Sequence, residues 1–424
     1  MKILIANVYS FQNKGDAAIV LSLMRETKRV FKKPDILIQT ADTSNDKDKY
    51  DAPVTASLLW ILLSSVRDRS IVLRLVVLLY GIIAITLFLI INNLFNAKPY
   101  FLLTPALKTY IRENLAADMV IACGGGYLRT PNGSGHYAVL LFVTCLNFLS
   151  AKYLGKPVYL YSQSIGPVHG WLQTKILRFT LKRVDLIEPR EDVSVKYLDS
   201  LNLKTPIMET ADPVLLLGGT GTLLPEFARK GKQMRVGLTV RKWFKTEAQL
   251  EKYMKSVAQV IDHLVEKYNA EVFYLPQVIA EKFDDDDRVI ALKVKDYVVH
   301  KEQFNVIDND LHPYEAIGLC GSADIFIGTR MHSNIFTLIN GIPVVAIEYE
   351  HKTRGIMQGL GIEELTINIG DVTFETLSEK VEMLISNRDK YAGLVKTNLP
   401  IQIKKSQSAI EYIKDMYESK NTAH

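Results

Sequence analysis

Several stretches of this chain place residues capable of acid–base or anion-binding work directly after short apolar runs. The richest is Gly328-Thr-Arg-Met-His-Ser-Asn334, which follows the run Asp324–Gly328 and opens a helix. Backbone N–H groups at a helix start attract anions, and the planar fork of Arg330 suits a carboxylate or a phosphate. His332 stands two residues on, able to give or take a proton near neutral pH. Lys352 follows the run Pro343–Ile347, again at a strand's carboxyl end. Three such groups at one end of a sheet point to an anionic substrate. In the competing reading Arg330 pairs with a neighbouring carboxylate and His332 caps the helix.

Other loops are less specific. Asn13-Lys-Gly-Asp16 has the form of a loop-to-helix ligand cradle, or else Gly15 permits a turn and Asp16 caps a helix. Gly124, Gly125 and Gly126 would let backbone approach a ligand, but no Walker loop and no GxGxxG fingerprint is present. Gln163, in Ser162–Pro167, could bind a sugar hydroxyl or merely precede a Gly-Pro turn. Arg190 sits in Glu188-Pro-Arg-Glu-Asp192 beside acids that could neutralise it, and Asp212-Pro213 reads as a hinge or turn. The polar loop Tyr127–His136 has the composition of an acceptor-binding lid. The acid run Asp284–Asp287 reads as a solvated loop, with metal binding as its other reading.

Strands alternating with helices must position these groups. Expected strands are Ile3–Val8, Asp35–Gln39, Asp118–Ala122, Pro157–Tyr161 and Leu186–Glu188, then Arg235–Val240, Glu271–Leu275, Asp324–Gly328 and Pro343–Ile347. Helices with a 3.6-residue apolar period separate them, the longest over Glu247–Tyr268. This rhythm predicts an α/β protein of two Rossmann-like domains facing a cleft. The expected limits are 1–217, a turn-rich linker 218–233, and 234–424 with closing helices that pack back across the first domain. Ligands favour the carboxyl ends of such sheets.

Composition narrows the class. The chain has 424 residues, 48% hydrophobic and 23% charged, too long for one ordinary domain and too apolar for disorder. A net charge of +5 is far from a nucleic-acid binder's basic footprint. Three cysteines without a CxxC pair give neither a disulfide framework nor a zinc site, so a reducing cytoplasmic compartment is the simplest expectation. The opening MKILIANV reads as a first strand rather than a signal peptide.

One segment departs from this pattern. Leu58–Ala97 is strongly apolar, with no charge from Leu75 to Ala97 and basic residues Arg67, Arg69, Arg74, Lys98 and Lys108 at its flanks. A full span would strand the opening β-strand on the far side of the membrane. The expectation is therefore a helical hairpin that enters the bilayer surface without crossing it, at the cytoplasmic face of the cell membrane; a buried core helix is the alternative.

Taken in order, the pieces Asn13–Ile19, Gly124–Gly126, Gln163–Pro167, Pro189–Asp192 with Ser194, Ala211–Pro213, Tyr274–Gln277, Gly328–Ser333 and Gly341–Met357 resemble the polysaccharide pyruvyl transferase family. The resemblance covers nearly the whole chain apart from residues of about 45–115, so it does not extend to the apolar insert. It implies a GT-B-like fold and transfer of the enolpyruvyl group of phosphoenolpyruvate to two sugar hydroxyls, forming a pyruvate ketal and releasing phosphate. It also implies that Arg190, Arg330 and Lys352 hold the trianionic donor together with Met331 and Ser333, and that His332 is the general acid. Met331 stands where relatives often have leucine. Asn13, Asp16, the three glycines and Gln163 would face the acceptor, with Asp16 or Glu191 as base. The scheme needs no metal and no cofactor beyond the donor. With the apolar insert, the acceptor becomes a lipid-linked saccharide. Two other readings are a glycosyltransferase using a nucleotide-sugar, whose diphosphate Arg330 and Lys352 would bind, and a non-catalytic saccharide-binding component of an assembly complex.

Overall fold

The computed structural model describes residues 1–130, 135–280 and 285–422. The chain divides into two units. The first comprises Met1–Phe11, Ile19–Asp212 and Lys405–His424; the second comprises Gln12–Ala18 and Pro213–Lys404. The division thus falls between Asp212 and Pro213, ahead of the expected linker, because Pro213–Leu217 is a buried 3-10 turn that packs with the second unit. Of the closing helices, Phe374–Ser386 stays with the second unit, and the last helix, Arg388–Thr422, is grouped with the first only from Lys405 on.

The first unit is built on a six-stranded parallel sheet in the spatial order Val54–Ala56, Asp35–Thr40, Lys2–Val8, Met119–Ala122, Val158–Gln163, Leu186–Pro189. Counted along the chain that order is 3-2-1-4-5-6, the doubly wound arrangement. Its central strands are buried residue after residue, as Met119–Ala122 and Val158–Gln163 illustrate. This is why they read as continuous apolar runs rather than as alternation. Leu4, Val120 and Leu160 pack with Leu141, Phe148 and Leu177 from the neighbouring helices.

The second unit repeats the plan, with Phe304–Val306, Glu271–Tyr274, Arg235–Thr239, Ile325–Gly328, Val344–Glu348 and Thr366–Asn368 in the same 3-2-1-4-5-6 order. In each sheet the strand order reverses between strands 1 and 4. The loops leaving those strands at the switch points are the ones singled out by sequence: Asn13–Asp16 and Gly124–Gly126 in the first sheet, and Thr329–Ser333 in the second.

The apolar insert is a short helix, Leu58–Leu62, a 3-10 turn at Ser64–Val66, and a helix of 25 residues, Ile71–Phe95, capped by the Ser70 hydroxyl accepting from Leu73 N–H. It is long and apolar enough to cross a membrane by length and composition. One stripe of it, Gly81, Ala84, Ile85, Phe88 and Leu89, is buried against Leu58, Leu62, Leu107, Ile111 and Val143. The opposite side is exposed.

The long helix Glu247–Tyr268 is held to Phe374–Ser386 by Glu382, which accepts from His263 at 2.7 Å, Lys267 at 2.8 Å and Tyr268 at 2.5 Å. Partial burial opposes its charge, yet these donors bring the carboxyl down to about 2. Because the folded value lies below the unfolded one, the stabilisation is present above the ordinary carboxylate range and is lost as pH falls from there through about 2. Glu382→Gln should therefore flatten the acid limb of stability against pH in that window, read as unfolding midpoint at each pH. In the insert, Phe88→Ala should cost about 3–5 kcal/mol, whereas Leu87→Ala, one residue away on the exposed side, should cost no more than about 0.5 kcal/mol. Urea titrations of both variants check this, and equal losses would contradict the burial of one stripe.

Candidate active site

The centre of the second unit starts where two neighbouring strands end together. Thr239 pairs with Gly328, so the chain leaves both strands at one level. There the Thr239 hydroxyl accepts the N–H of Thr329 at 3.0 Å and of Arg330 at 3.3 Å. Ser333 Oγ donates to the Arg330 carbonyl at 2.6 Å and lies 2.9 Å from the Thr239 hydroxyl. These bonds fix the backbone that launches Arg330 and His332 at the head of the helix Met331–Leu338.

The same bonds correct two expectations. Ser333 is fully buried and its hydroxyl serves this loop, and Met331 is buried in the core. Neither side chain is offered to a ligand.

Arg330 is itself nearly buried, and it is paired. Its Nη2 donates to Asp285 at 2.7 Å and to Asp287 at 2.5 Å, and its Nε to Asp287 at 3.2 Å. Burial works against the guanidinium charge, but Asp287 and Asp285 outweigh it and hold the group firmly protonated. The same burial pushes the Asp287 carboxyl up while Arg330 pulls it down. The acid run is therefore no solvated loop: Asp285 and Asp287 serve Arg330, and Asp286 grips Arg288 at 2.7 Å. Asp284 lies outside the described residues.

Asp287 also ties in the first helix of the chain. Its Oδ2 accepts the N–H of Gln277 and of Val278, both at 3.0 Å. That segment in turn bonds to the Gln12–Lys14 turn, with Lys14 N–H to the Gln277 carbonyl at 2.9 Å and Ile279 N–H to the Gln12 carbonyl at 3.0 Å. The helix Lys14–Val30 is capped by Asn13, whose Oδ1 accepts from Gly15 N–H at 3.1 Å and Asp16 N–H at 3.3 Å, while its Nδ2 donates to Asp16 at 2.7 Å. Asn13, not Asp16, is the cap, and its side chain is spent on that role. Lys14 is buried and paired with Asp310. Gly15 has a role beyond the turn: a Cβ there would stand 2.0 Å from His332 Nδ1. The missing side chain is what lets the imidazole lie against the helix start.

Lys352 lies in the first turn of the helix His351–Gly359, its Nζ 2.9 Å from Glu350. The strands before Arg330 and before Lys352 are hydrogen-bonded neighbours, so both loops leave the same sheet edge. Sequence reasoning passed over Arg241 and Trp243. Arg241 lies over the rings of Tyr349 and Trp243, 4.5 and 5.6 Å from their centroids, and the two rings are 4.7 Å apart. A cavity of about 520 Å³ beside them is lined by Arg241, Lys242, Lys293 and Asp285–Asp287. The signal that could have found Arg241 was its place directly after the strand Arg235–Thr239, at the switch point.

In the first unit, Arg190 is buried and neutralised chiefly by Asp212 at 2.8 Å, with Nε donating to Ser164 at 2.9 Å and lying 3.5 Å from a carboxylate oxygen of Glu191. Asp212, read from sequence as a hinge or turn, is the charge partner. Glu191 accepts from Ser164 at 3.0 Å and from Ser194 at 2.8 Å, so both its oxygens hold the loop. Gln163 is fully buried, its Nε2 donating to the carbonyls of Ala122 and Cys123 at 3.1 and 2.8 Å and to the Tyr127 hydroxyl at 2.7 Å. It braces the glycine loop instead of meeting a sugar. A Cβ on Gly124 would lie 2.6 Å from the Ser162 carbonyl oxygen, so that glycine permits close packing of backbone on backbone; on Gly125 it would meet the Tyr127 ring at 3.0 Å. Gly126 is half-buried in the same loop. Of the lid-like loop Tyr127–His136, residues 131–134 lie outside the described residues.

Two doubly wound parallel sheets, one in each unit, define a GT-B-type α/β protein. The fold is shared with a UDP-N-acetylglucosamine 2-epimerase from Listeria monocytogenes (TM-score 0.62, 11% identity, 99% of this chain and 97% of that one). It is shared too with Anabaena HepE solved with UDP-glucose (TM-score 0.57, 12% identity, 100% of each chain) and with a trehalose 6-phosphate synthase from Burkholderia multivorans (TM-score 0.54, 9% identity, 100% and 99%). The model of the family described as polysaccharide pyruvyl transferase matches residues 13–351, and the chain belongs to that family. The amylovoran biosynthesis protein AmsJ of Erwinia amylovora is 28% identical over 298 residues, 68% of each chain.

Gly15→Ala tests the contact with His332. The added Cβ forces the imidazole aside, so stability should fall by no more than the roughly 1–3 kcal/mol of an overpacked contact, and the fold should survive. The displaced imidazole should lower transferase turnover by about 100-fold. Unchanged turnover would remove His332 from the reacting geometry.

Proposed function

We propose that the chain transfers the enolpyruvyl carbons of phosphoenolpyruvate to two hydroxyls of one sugar in a lipid-linked saccharide, closing a pyruvate ketal in the assembly of a surface polysaccharide. Family membership supports the transfer, and likeness to a protein of amylovoran biosynthesis supports the polysaccharide setting. The observation that carries the donor is the head of the Met331–Leu338 helix, where a buried, carboxylate-oriented arginine and a histidine seated on Gly15 leave the sheet together.

The donor is trianionic, and its charge must be met in a partly dry site. Arg330, aimed by Asp287, and Lys352 at the adjacent strand end are the cations of this unit assigned to its carboxylate and phosphate. Lys352 must exchange Glu350 for the donor. Arg190 remains a candidate for the same reaction through the family resemblance. His332 protonates the methylene carbon, which becomes the ketal's methyl group, and the adjacent carbon gains oxocarbenium character. The first sugar hydroxyl adds to that carbon and gives up its proton to a base. The C–O bond to phosphate breaks, the second hydroxyl adds at the same carbon, and its proton leaves with phosphate. Asp16 is assigned as the base, since it lies one residue from the glycine beneath His332, whereas both oxygens of Glu191 are occupied.

The test is phosphate release from phosphoenolpyruvate with lipid-linked and free saccharide acceptors, beside titration of donor binding. Wild type should release phosphate only with acceptor. His332→Ala should slow release by about 10²- to 10⁴-fold while still binding donor. Absence of donor binding at millimolar concentration, together with binding of a nucleotide-sugar, would replace this reading with glycosyl transfer.

A further inference from the structure

The helix Ile71–Phe95 presents an uninterrupted apolar stripe: Val76, Leu79, Ile83, Leu87, Ile90 and Leu94 recur at three- and four-residue steps and are all exposed, from 42% at Leu87 to 72% at Leu94. Phe101, just beyond the helix, is 85% exposed. In water such a surface is unfavourable by roughly 25 cal/mol per Å² of apolar area, and soluble monomers rarely leave a patch of this extent open. The other side of the same helix is fastened down. Its buried stripe packs on the helices Leu58–Leu62, Pro105–Ala116 and Gly135–Tyr153. The Tyr80 hydroxyl donates to the Leu102 carbonyl at 2.9 Å, and Asn93 Nδ2 donates to the Tyr153 carbonyl at 2.9 Å.

The surrounding charge points to one occupant. From Leu58 to Arg112 the sole acid is Asp68, against Arg67, Arg69, Arg74, Lys98, Lys108 and Arg112. Lys108 and Arg112 lie over the ring of Tyr100, next to Phe101, at 5.6 and 5.3 Å. A second copy of this chain would bring the same cations against themselves. An anionic phospholipid surface would meet them with about 1 kcal/mol for each basic residue near the headgroups.

We infer that the exposed stripe of Ile71–Phe95, with Phe101, lies along an anionic bilayer surface, immersed side-on, and that the helix does not cross. Crossing would carry the helices bolted to its buried stripe, with Asn147, Lys152 and Arg112, into hydrocarbon about 30 Å thick. Lying in the interface needs only about 5–10 Å of penetration, which one helix face supplies. The inference concerns attachment and holds or fails independently of the proposed reaction.

The test is flotation of the full chain, diluted from detergent onto preformed vesicles of phosphatidylglycerol with phosphatidylethanolamine, or of phosphatidylcholine alone. Wild type should float with the anionic vesicles and at least tenfold less with the neutral ones, and high salt should weaken the binding. Leu79→Glu/Ile83→Glu/Leu87→Glu should reduce flotation at least tenfold at an unchanged circular dichroism spectrum. Arg67→Gln/Arg69→Gln/Arg74→Gln, which leaves every apolar residue of the stripe in place, should weaken anionic binding and its salt dependence, and it keeps the test decisive if the first variant does not fold. The three native cysteines are free and buried, so single cysteines placed by Arg69→Cys and Ala97→Cys can be labelled selectively. Both should react with an impermeant maleimide outside the vesicles. Protection of either one, equal flotation of the glutamate variant, or dimers dispersed by that variant without lipid binding would each overturn the inference.

Discussion

A buried arginine needs an anion, and Arg330 finds it in Asp287. Much of the second unit's centre is organised by that need. Asp287 can serve as the anion only because its other oxygen takes two backbone N–H groups from Gln277 and Val278. Those residues are held in turn by the Gln12–Lys14 turn. The opening helix therefore begins where the arginine's counter-charge requires, which brings Gly15 under His332. Removing one partner of a buried pair of this kind usually costs about 3–5 kcal/mol, because the remaining charge stays in a poorly solvating place. The pair is best understood as orientation: it fixes the guanidinium plane at a loop whose backbone Thr239 and Ser333 already hold.

Parallel sheets were legible in the sequence because their strands are buried on both faces and leave runs such as Met119–Ala122 and Val344–Glu348. The helix Glu247–Tyr268 was legible because one face alternates with the other over six turns. Three edge strands, Val54–Ala56, Phe304–Val306 and Thr366–Asn368, were not, since three residues carry no period. Pairing partners were hidden for a different reason. Asp287 lies 43 residues from Arg330 and Asp212 lies 22 from Arg190, so only the fold brings them together. From sequence, an acid run looks solvated, an Asp-Pro looks like a turn, and a glutamine after a strand looks like a ligand. Each is drawn instead into buried support of a loop.

The apolar insert shows the same limit from the other direction. Hydropathy reported that Ile71–Phe95 belongs in a nonaqueous setting but could not say on which side. The answer depends on neighbours, Leu58–Leu62, Pro105–Ala116 and Gly135–Tyr153, which take one stripe of the helix and leave the other. Periodicity failed here because both faces are apolar, so no polar residues mark the boundary between them.

Both units carry one buried arginine at the carboxyl edge of a doubly wound sheet, each matched to an aspartate from another segment. Free cations at such positions would swing toward any carboxylate and would have to reorient when an anionic substrate arrived. Arg330, gripped by Asp287 through Nε and Nη2, holds its remaining Nη1 edge in a fixed plane. Holding the charge in place before the ligand binds reduces the reorganisation that binding demands. The cost is competition: the resident carboxylate lowers the net positive charge, so a ligand of several negative charges would need a further cation that is less firmly held. Lys352 meets that description. Its carboxylate partner among the described residues, Glu350, lies on the same short turn, and its flexible stem would let the ammonium exchange that partner for an anionic ligand.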